Sequence, residues 1–380
     1  MKVLQITHDL QIGGLQRVVT DLSTQLQRAG VVAEVLCLRA GGPFQAELDR
    51  AGIRVRMVNR PSGPGKYLSF LQVASIIRDS GAQVIHTHNT EPFIDGTLGG
   101  LLAGVPVKVH TDHARRYPDK KRYLYAERVL SRFVDQVVAV SEHTRNDLLQ
   151  HSRIARKKIV VIPNGVDGAK YEVDVDVGNK RRELGIEGAF PVLAVGVRLT
   201  RQKGVEHLVQ AMAPLHKAFP ELRLLIAGDG PLRGELEQLA EATGVSNAVA
   251  FLGPRDDIHE ILKVVDIYVL PSIWEGMPLV ILEAMAAGKA IVASAVGGNT
   301  EVIAHNVNGI LVEAGSPAAL AEAIGALAGD RRSMLRLGEA ARERFRARYS
   351  VERMADAYLS LYRSVLRART RACRPAGAGA

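Results

Sequence analysis

Cysteine is nearly missing from these 380 residues: only Cys37 and Cys373 are present. Two distant thiols give neither a metal spacing nor a disulfide framework, so a reducing, cytoplasmic compartment is expected. Aromatic residues make up 5%, with one tryptophan, and no nucleic-acid recognition motif accompanies the basic charge, so no nucleic-acid partner is expected. The chain has no CxxC, no HxxxH, no Walker A lysine and no GxSxG elbow. Thiol redox, zinc hydrolysis, P-loop and serine-hydrolase chemistry are thereby set aside. Long apolar runs are also lacking. The most apolar long stretch, 278–296, contains Glu283 and Lys289, which argues against a membrane-spanning helix. The opening MKVLQITHDL meets Asp9 before any long apolar run and reads as a first strand rather than a signal peptide.

Acidic residues are scarce in one half only. Residues 1–165 hold 23 Lys and Arg against 14 Asp and Glu, a charge of +9. Residues 166–350 sum to −4, and 351–380 to +4. A basic half points to an anionic partner, which on charge alone is nucleic acid, a membrane surface or a phosphorylated substrate. The plain alternative is charge that serves solubility alone.

What is present is α/β alternation, twice over. Short β-branched runs such as VLQIT, VAEVLCL, VIHTH and QVVAVS are separated by helical patterns, which implies βαβ units and a parallel sheet. Residues 1–167 read as one such domain and 168–190, rich in turn formers, as a linker. The alternation restarts in 191–350. A last helix over about 351–372 follows Ser350, with arginines crowding its end. Two doubly wound domains would face each other across a cleft, the default ligand site of such folds.

Four constellations fall in strand-to-helix loops. Gly13-Gly14 follows the first strand and opens the first helix, where the backbone can approach an anion. It is not the GxGxxG fingerprint, because Gln16 and Arg17 follow. Arg198 and Lys203 place two cations five residues apart after the strand VLAVG, a spacing that suits a diphosphate. Glu275 and Glu283 bracket Gly276-Met277-Pro278-Leu279, and Glu283 stands in the apolar run VILEAMAAG, where a carboxylate needs a hydroxyl or cation partner. His113 ends a strand, while His110 reads as internal to it. Behind His113 runs a basic-aromatic patch of Arg115, Arg116, Tyr117, Lys120, Lys121, Arg122, Tyr123 and Tyr125, suited to a phosphate-bearing or membrane-bound acceptor. Asp174 and Asp176 spell D-x-D, but in the linker rather than at a strand end, so no metal site is expected.

With these residues the chain resembles the retaining family-four glycosyltransferases of the two-Rossmann (GT-B) fold. GGLQRVV, VIHTHN, SEHTRNDLL and VIPNGVD stand in order in the first half. GVRLTRQKG, LLIAGDGPLR, VAFLGPRDDI, LPSIWEGMPLVILEAMAAGKAIVAS and VGGNTEVI follow in the second. The resemblance implies a nucleotide-diphosphate sugar as donor (a UDP- or GDP-sugar) and a glycan or polyprenyl-linked acceptor, without cofactor or metal. It implies that Arg198 and Lys203 neutralise the diphosphate and that Gly14 approaches it. Glu283 would hold the ribose, and Glu275 with Gly276, Met277, Pro278 and Leu279 the transferred sugar. Arg255 would contact the base, and His113 would face the donor sugar. One departure is Gly196-Val197-Arg198-Leu199, with Val197 inserted into the usual V-G-R-L pattern. The setting implied is cell-surface polysaccharide, lipopolysaccharide or glycolipid assembly at the cytoplasmic face, with the last helix crossing back onto the first domain. The rival readings are a sugar-nucleotide epimerase of similar architecture and a non-catalytic nucleotide-sugar-binding protein.

Overall fold

The computed structural model of the chain describes residues 1–58, 68–113 and 120–372. It forms two compact units. One joins Met1–Gly165 to the segment that begins at Val351, and the other is Val166–Ser350. Arg115, Arg116, Tyr117 and Cys373 lie outside the described residues.

In the first unit the strands are β1 Lys2–Thr7, β2 Val32–Cys37, β3 Arg54–Met57, β4 Val84–His88, β5 Val107–Asp112, β6 Gln136–Ala139 and β7 Ile159–Val161. They form one parallel sheet in the order β3-β2-β1-β4-β5-β6-β7. The central strands are buried on both faces, as crossover helices require. Alternation along β2 sorts its residues. Leu36 packs with Leu4, Ile6, Val73, Ile77 and Ile85 on one face, whereas Val35 and Cys37 pack with Leu10, Val19 and Leu48 on the other. Strand order reverses direction between β1 and β4, the topological switch where ligands of such sheets bind. The helix Val351–Ala372 packs on β5 and on the helix Gly14–Arg28, and its Tyr358 and Tyr362 are buried.

The second unit contains β8 Val192–Gly196, β9 Arg223–Ala227, β10 Val249–Gly253, β11 Ile267–Leu270, β12 Ala290–Ser294 and β13 Ile310–Val312. This sheet is also parallel, ordered β10-β9-β8-β11-β12-β13, so its switch lies between β8 and β11. Residues 168–190 are not a free linker. They fold as a 3-10 turn, Gly168–Tyr171, and a helix, Val177–Glu183, inside the second unit. Lys180 of that helix is buried and forms ion pairs with Asp257 (2.8 Å), Glu260 (2.6 Å) and Glu183 (2.7 Å). Asp176 caps the helix by accepting from Asn179 N (2.9 Å), which gives half of the D-x-D pair a structural task. Among the described residues, no cluster of His, Cys, Asp and Glu is set to hold a metal ion, and no helix is long and apolar enough to cross a membrane.

Candidate active site

The second unit builds its candidate site at the switch, from the loops that follow β8 and β11. Tyr268 of β11 holds the first loop at its start: Gly196 N donates to the Tyr268 hydroxyl (3.0 Å), which donates back to Gly196 O (3.3 Å). Burial, together with the nearby carboxylates Glu283 and Glu275, pushes the Tyr268 pKa upward and keeps it a phenol. Val197, the inserted residue, donates its N–H to Ala227 O. The Arg198 side chain is exposed. The loop then makes a 3-10 turn, Arg201–Lys203, and stops at Gly204. Here glycine is required twice. Its φ is +60°, and a Cβ would stand 2.2 Å from Pro271 O in the second loop.

That close approach lets the two loops lock together. Ile273 N donates to Gln202 O (2.8 Å), and Gln202 Nε2 donates to Trp274 O (3.2 Å). Lys203 Nζ then sits 2.5 Å from Glu275 Oε1, and Ser272 Oγ donates to the same oxygen (2.7 Å). The Glu275 side chain is 6% exposed and that of Lys203 18%. Lys203 and Glu275, 72 residues apart in sequence, are thus one charge-assisted pair in a largely dry setting. Gly276, Met277, Pro278 and Leu279 are buried. They lie beneath the loop after β12, where a Cβ on Gly298 would stand 1.8 Å from Gly276 O. Leu279 opens the helix Leu279–Ala286, on which Glu283 is half-buried. Arg255 is otherwise engaged. Its Nη2 donates to Glu183 (2.6 Å), and its Nε donates to Asp257 (2.7 Å), so its pKa rises still further.

In the first unit, Gly14 is the exposed first residue of the helix Gly14–Arg28. His113 follows β5, and its N–H donates to Asn89 Oδ1 (3.2 Å). Lys120, Lys121 and Arg122 are exposed, and Arg122 lies over the Tyr123 ring, 4.9 Å from its centroid. His110 is buried inside β5 and stacks on Phe93 (4.2 Å between centroids). A pocket of about 430 Å³ opens at the carboxyl ends of β1, β4 and β5, with Asp9, Asn89, Glu91, Asp112 and Tyr123 in its walls.

A buried polar face beside this pocket was not foreseen from the sequence. His86 and His88 alternate on β4 and so share a face, with ring centroids 4.1 Å apart. His86 Nδ1 lies 2.6 Å from the Tyr362 hydroxyl and its Nε2 2.7 Å from Thr111 Oγ1. His88 Nε2 lies 2.8 Å from Gln5 Oε1 and its Nδ1 2.9 Å from His113 Nε2. Burial pulls the pKa values of all three imidazoles down, that of His113 to about 3, so all are neutral. The alternating HTH of VIHTHN was the available signal.

Sequence comparison decides the family. The Glycosyltransferase Family 4 model matches residues 12–170, and the model for glycosyl transferases group 1 matches 176–344. The chain is 31% identical to an alpha-maltose-1-phosphate synthase of Mycobacterium tuberculosis, across 96% of this chain and 100% of that protein. The chain is a family 4 glycosyltransferase. This membership favours glycosyl transfer over the epimerase alternative. A UDP-Gal:alpha-D-GlcNAc-diphosphoundecaprenol alpha-1,3-galactosyltransferase of Escherichia coli is 28% identical across 80% of this chain and 81% of its own. The crystal structure of Anabaena Alr3699/HepE in complex with UDP and glucose superposes with a TM-score of 0.87, at 25% identity, covering 96% and 100% of the two chains. The GT-B fold is therefore that of this glycosyltransferase.

Proposed function

We propose that this glycosyltransferase moves a hexose from a UDP- or GDP-sugar to a hydroxyl of a glycan or lipid-linked acceptor, with retention of configuration and without a metal. The observation that carries this reading is the Lys203–Glu275–Ser272 constellation at the switch of the second sheet. In the reaction an acceptor oxygen bonds to the anomeric carbon. The bond from that carbon to the diphosphate breaks, and its electron pair leaves with the nucleotide. Lys203 and the exposed Arg198 stabilise the charge that develops on the diphosphate, which strengthens in the transition state. These cations take the part a metal plays elsewhere. The acceptor attacks from the leaving-group face, and its proton passes to the departing phosphate.

Glu275, with the backbone at Gly276, Met277, Pro278 and Leu279, takes the sugar hydroxyls, and Glu283 takes the ribose. Arg255, whose side chain is held by Glu183 and Asp257, serves the base through its backbone. Gly14 and His113 are the first unit's contributions to the donor, and the pocket walled by Asp9, Glu91 and Tyr123 takes the acceptor. Lys120, Lys121 and Arg122, with Arg115 and Arg116, favour an anionic membrane or lipid phosphate at the cytoplasmic face.

The test is a panel of UDP- and GDP-sugars scored for thermal protection, nucleotide release and linkage. Failure of every nucleotide sugar to protect, or an inverted linkage by NMR, overturns the reading. Activity abolished by EDTA and restored by Mg²⁺ overturns metal independence. Equal sedimentation with neutral and anionic liposomes removes the membrane part.

A further inference from the structure

We infer that Asn89 is a binding residue for the acceptor: its side-chain amide nitrogen donates to a hydroxyl of an uncharged sugar seated in the pocket at the carboxyl ends of β1, β4 and β5. That this sugar receives the transferred group rests on the reading given above, whereas its contact with Asn89 does not.

Asn89 stands between the end of β4 and the helix Thr90–Leu102, with φ 62° and ψ 178°. Arg153, at φ 52° and ψ 38°, occupies the ordinary left-handed well. The conformation of Asn89 lies outside that well, in a region that glycine alone enters freely. The backbone bonds made there do not need a side chain. Asn89 N donates to Thr111 O (3.1 Å), and Asn89 O accepts from Phe93 N (3.0 Å). A glycine would make both without strain, so what asparagine adds is its amide. Strain of this kind persists where a functional contact holds the residue in place.

One end of that amide is committed. The backbone N–H of His113 donates to Asn89 Oδ1 (3.2 Å). A backbone N–H only donates, so the atom facing it is the oxygen, and Nδ2 is fixed at the other end. One neutral bond of that length is a small return for such a backbone conformation. Nδ2 has no partner among the described residues and is not enclosed. Asn89 lines the pocket together with Asp9, Glu91 and Asp112. Asp9 is anchored in the same manner. Its Oδ1 accepts from Gln11 N (3.1 Å) and Gln16 Nε2 (2.8 Å), which leaves Oδ2 for the pocket. A sugar hydroxyl both donates and accepts, so it suits a wall that sets carboxylate acceptors beside an amide donor. An anion in the same place would meet those carboxylates.

The experiment uses the full chain labelled with ¹⁵N-asparagine. It is titrated with octyl glycosides of glucose, galactose, mannose and N-acetylglucosamine and, separately, with inorganic phosphate. The Asn89→Asp spectrum identifies the Asn89 side-chain amide, and Asn89→Gly supplies the assignment if Asn89→Asp does not fold. At least one glycoside should shift that amide, and phosphate should not. A shift with phosphate, or none with any glycoside, overturns the inference. Asn89→Asp keeps an oxygen for the His113 N–H and loses the donor. In transfer from the nucleotide sugar that protects best, it should raise the KM of the bound glycoside about tenfold or more, while kcat falls less than about threefold. An unchanged KM would leave Asn89 as a tie to His113 only and refute its contact with the sugar. Asn89→Gly should unfold at or above the wild-type temperature, because its backbone relaxes. A lower midpoint would mean that the residue serves the fold alone, and the inference fails. If a glycoside shifts the amide but no nucleotide sugar is consumed, the transfer reading fails while the contact stands.

Discussion

Removing either member of the Lys203–Glu275 pair should have unequal costs. Lys203→Ala leaves a carboxylate whose side chain is 6% exposed, with Ser272 Oγ as its remaining donor at 2.7 Å. Stranding a buried charge in this way costs about 3 kcal/mol. For a unit the size of Val166–Ser350, that lowers the unfolding midpoint by roughly 9 °C. Glu275→Ala strands an ammonium instead. Lys203 is 18% exposed on a flexible stem and can turn to water, so the loss is about 1 kcal/mol. In Lys203→Met/Glu275→Gln both charges go and the Ser272 contact survives, so stability returns to within about 1 kcal/mol of wild type. The single tryptophan, Trp274, adjoins Glu275, and its carbonyl accepts from Gln202. Its emission during thermal unfolding therefore reports this unit. A Lys203→Ala midpoint no lower than that of Glu275→Ala would refute the reasoning. The asymmetry also bears on activity, because part of any loss in Lys203→Ala comes from a displaced Glu275 rather than a missing phosphate contact.

Acid should destabilise the first unit. Its His86, His88 and His113 stay neutral when folded but take protons near pH 6.5 when unfolded, so the stability present above that pH is lost below it, by roughly 4 kcal/mol between about pH 7.5 and 5.5. Urea titrations at the two pH values check this, and equal stabilities would refute it. Gly298→Ala should weaken binding of the preferred nucleotide sugar about tenfold by calorimetry, because its Cβ would meet Gly276 O at 1.8 Å. Tyr362→Phe leaves His86 Nδ1 without its 2.6 Å partner and should cost about 2 kcal/mol in denaturant unfolding.

The sheets were legible because parallel strands announce themselves. VLQIT, VIHTH and VLAVG are short, β-branched and flanked by glycine or helix signals, and the structure puts strands there. The segment 168–190 was not legible as part of a domain. Its turn formers suggested a linker, but Lys180 gains its partners Asp257 and Glu260 only in three dimensions. The same limit applies at the site. Lys203 and Glu275 could each be named from their loops, but their pairing could not, because it depends on Gly204 meeting Pro271 O. Tyr358 and Tyr362 stand on the last helix, and their hydroxyls acquire meaning only against Thr111 and His86.

The last helix has a consequence for the order of synthesis. Gln5, His86, His88 and Thr111 leave the ribosome early, but the tyrosines that complete their network are translated only after all of Val166–Ser350. At elongation speeds of about 5–20 residues per second that delay is roughly 10–40 s. During it the first sheet must persist with a polar face uncovered or be sheltered by a chaperone. A chain truncated anywhere before Tyr358 thus yields a first unit that never closes, so completing the first fold depends on translating all of Val166–Ser350 first.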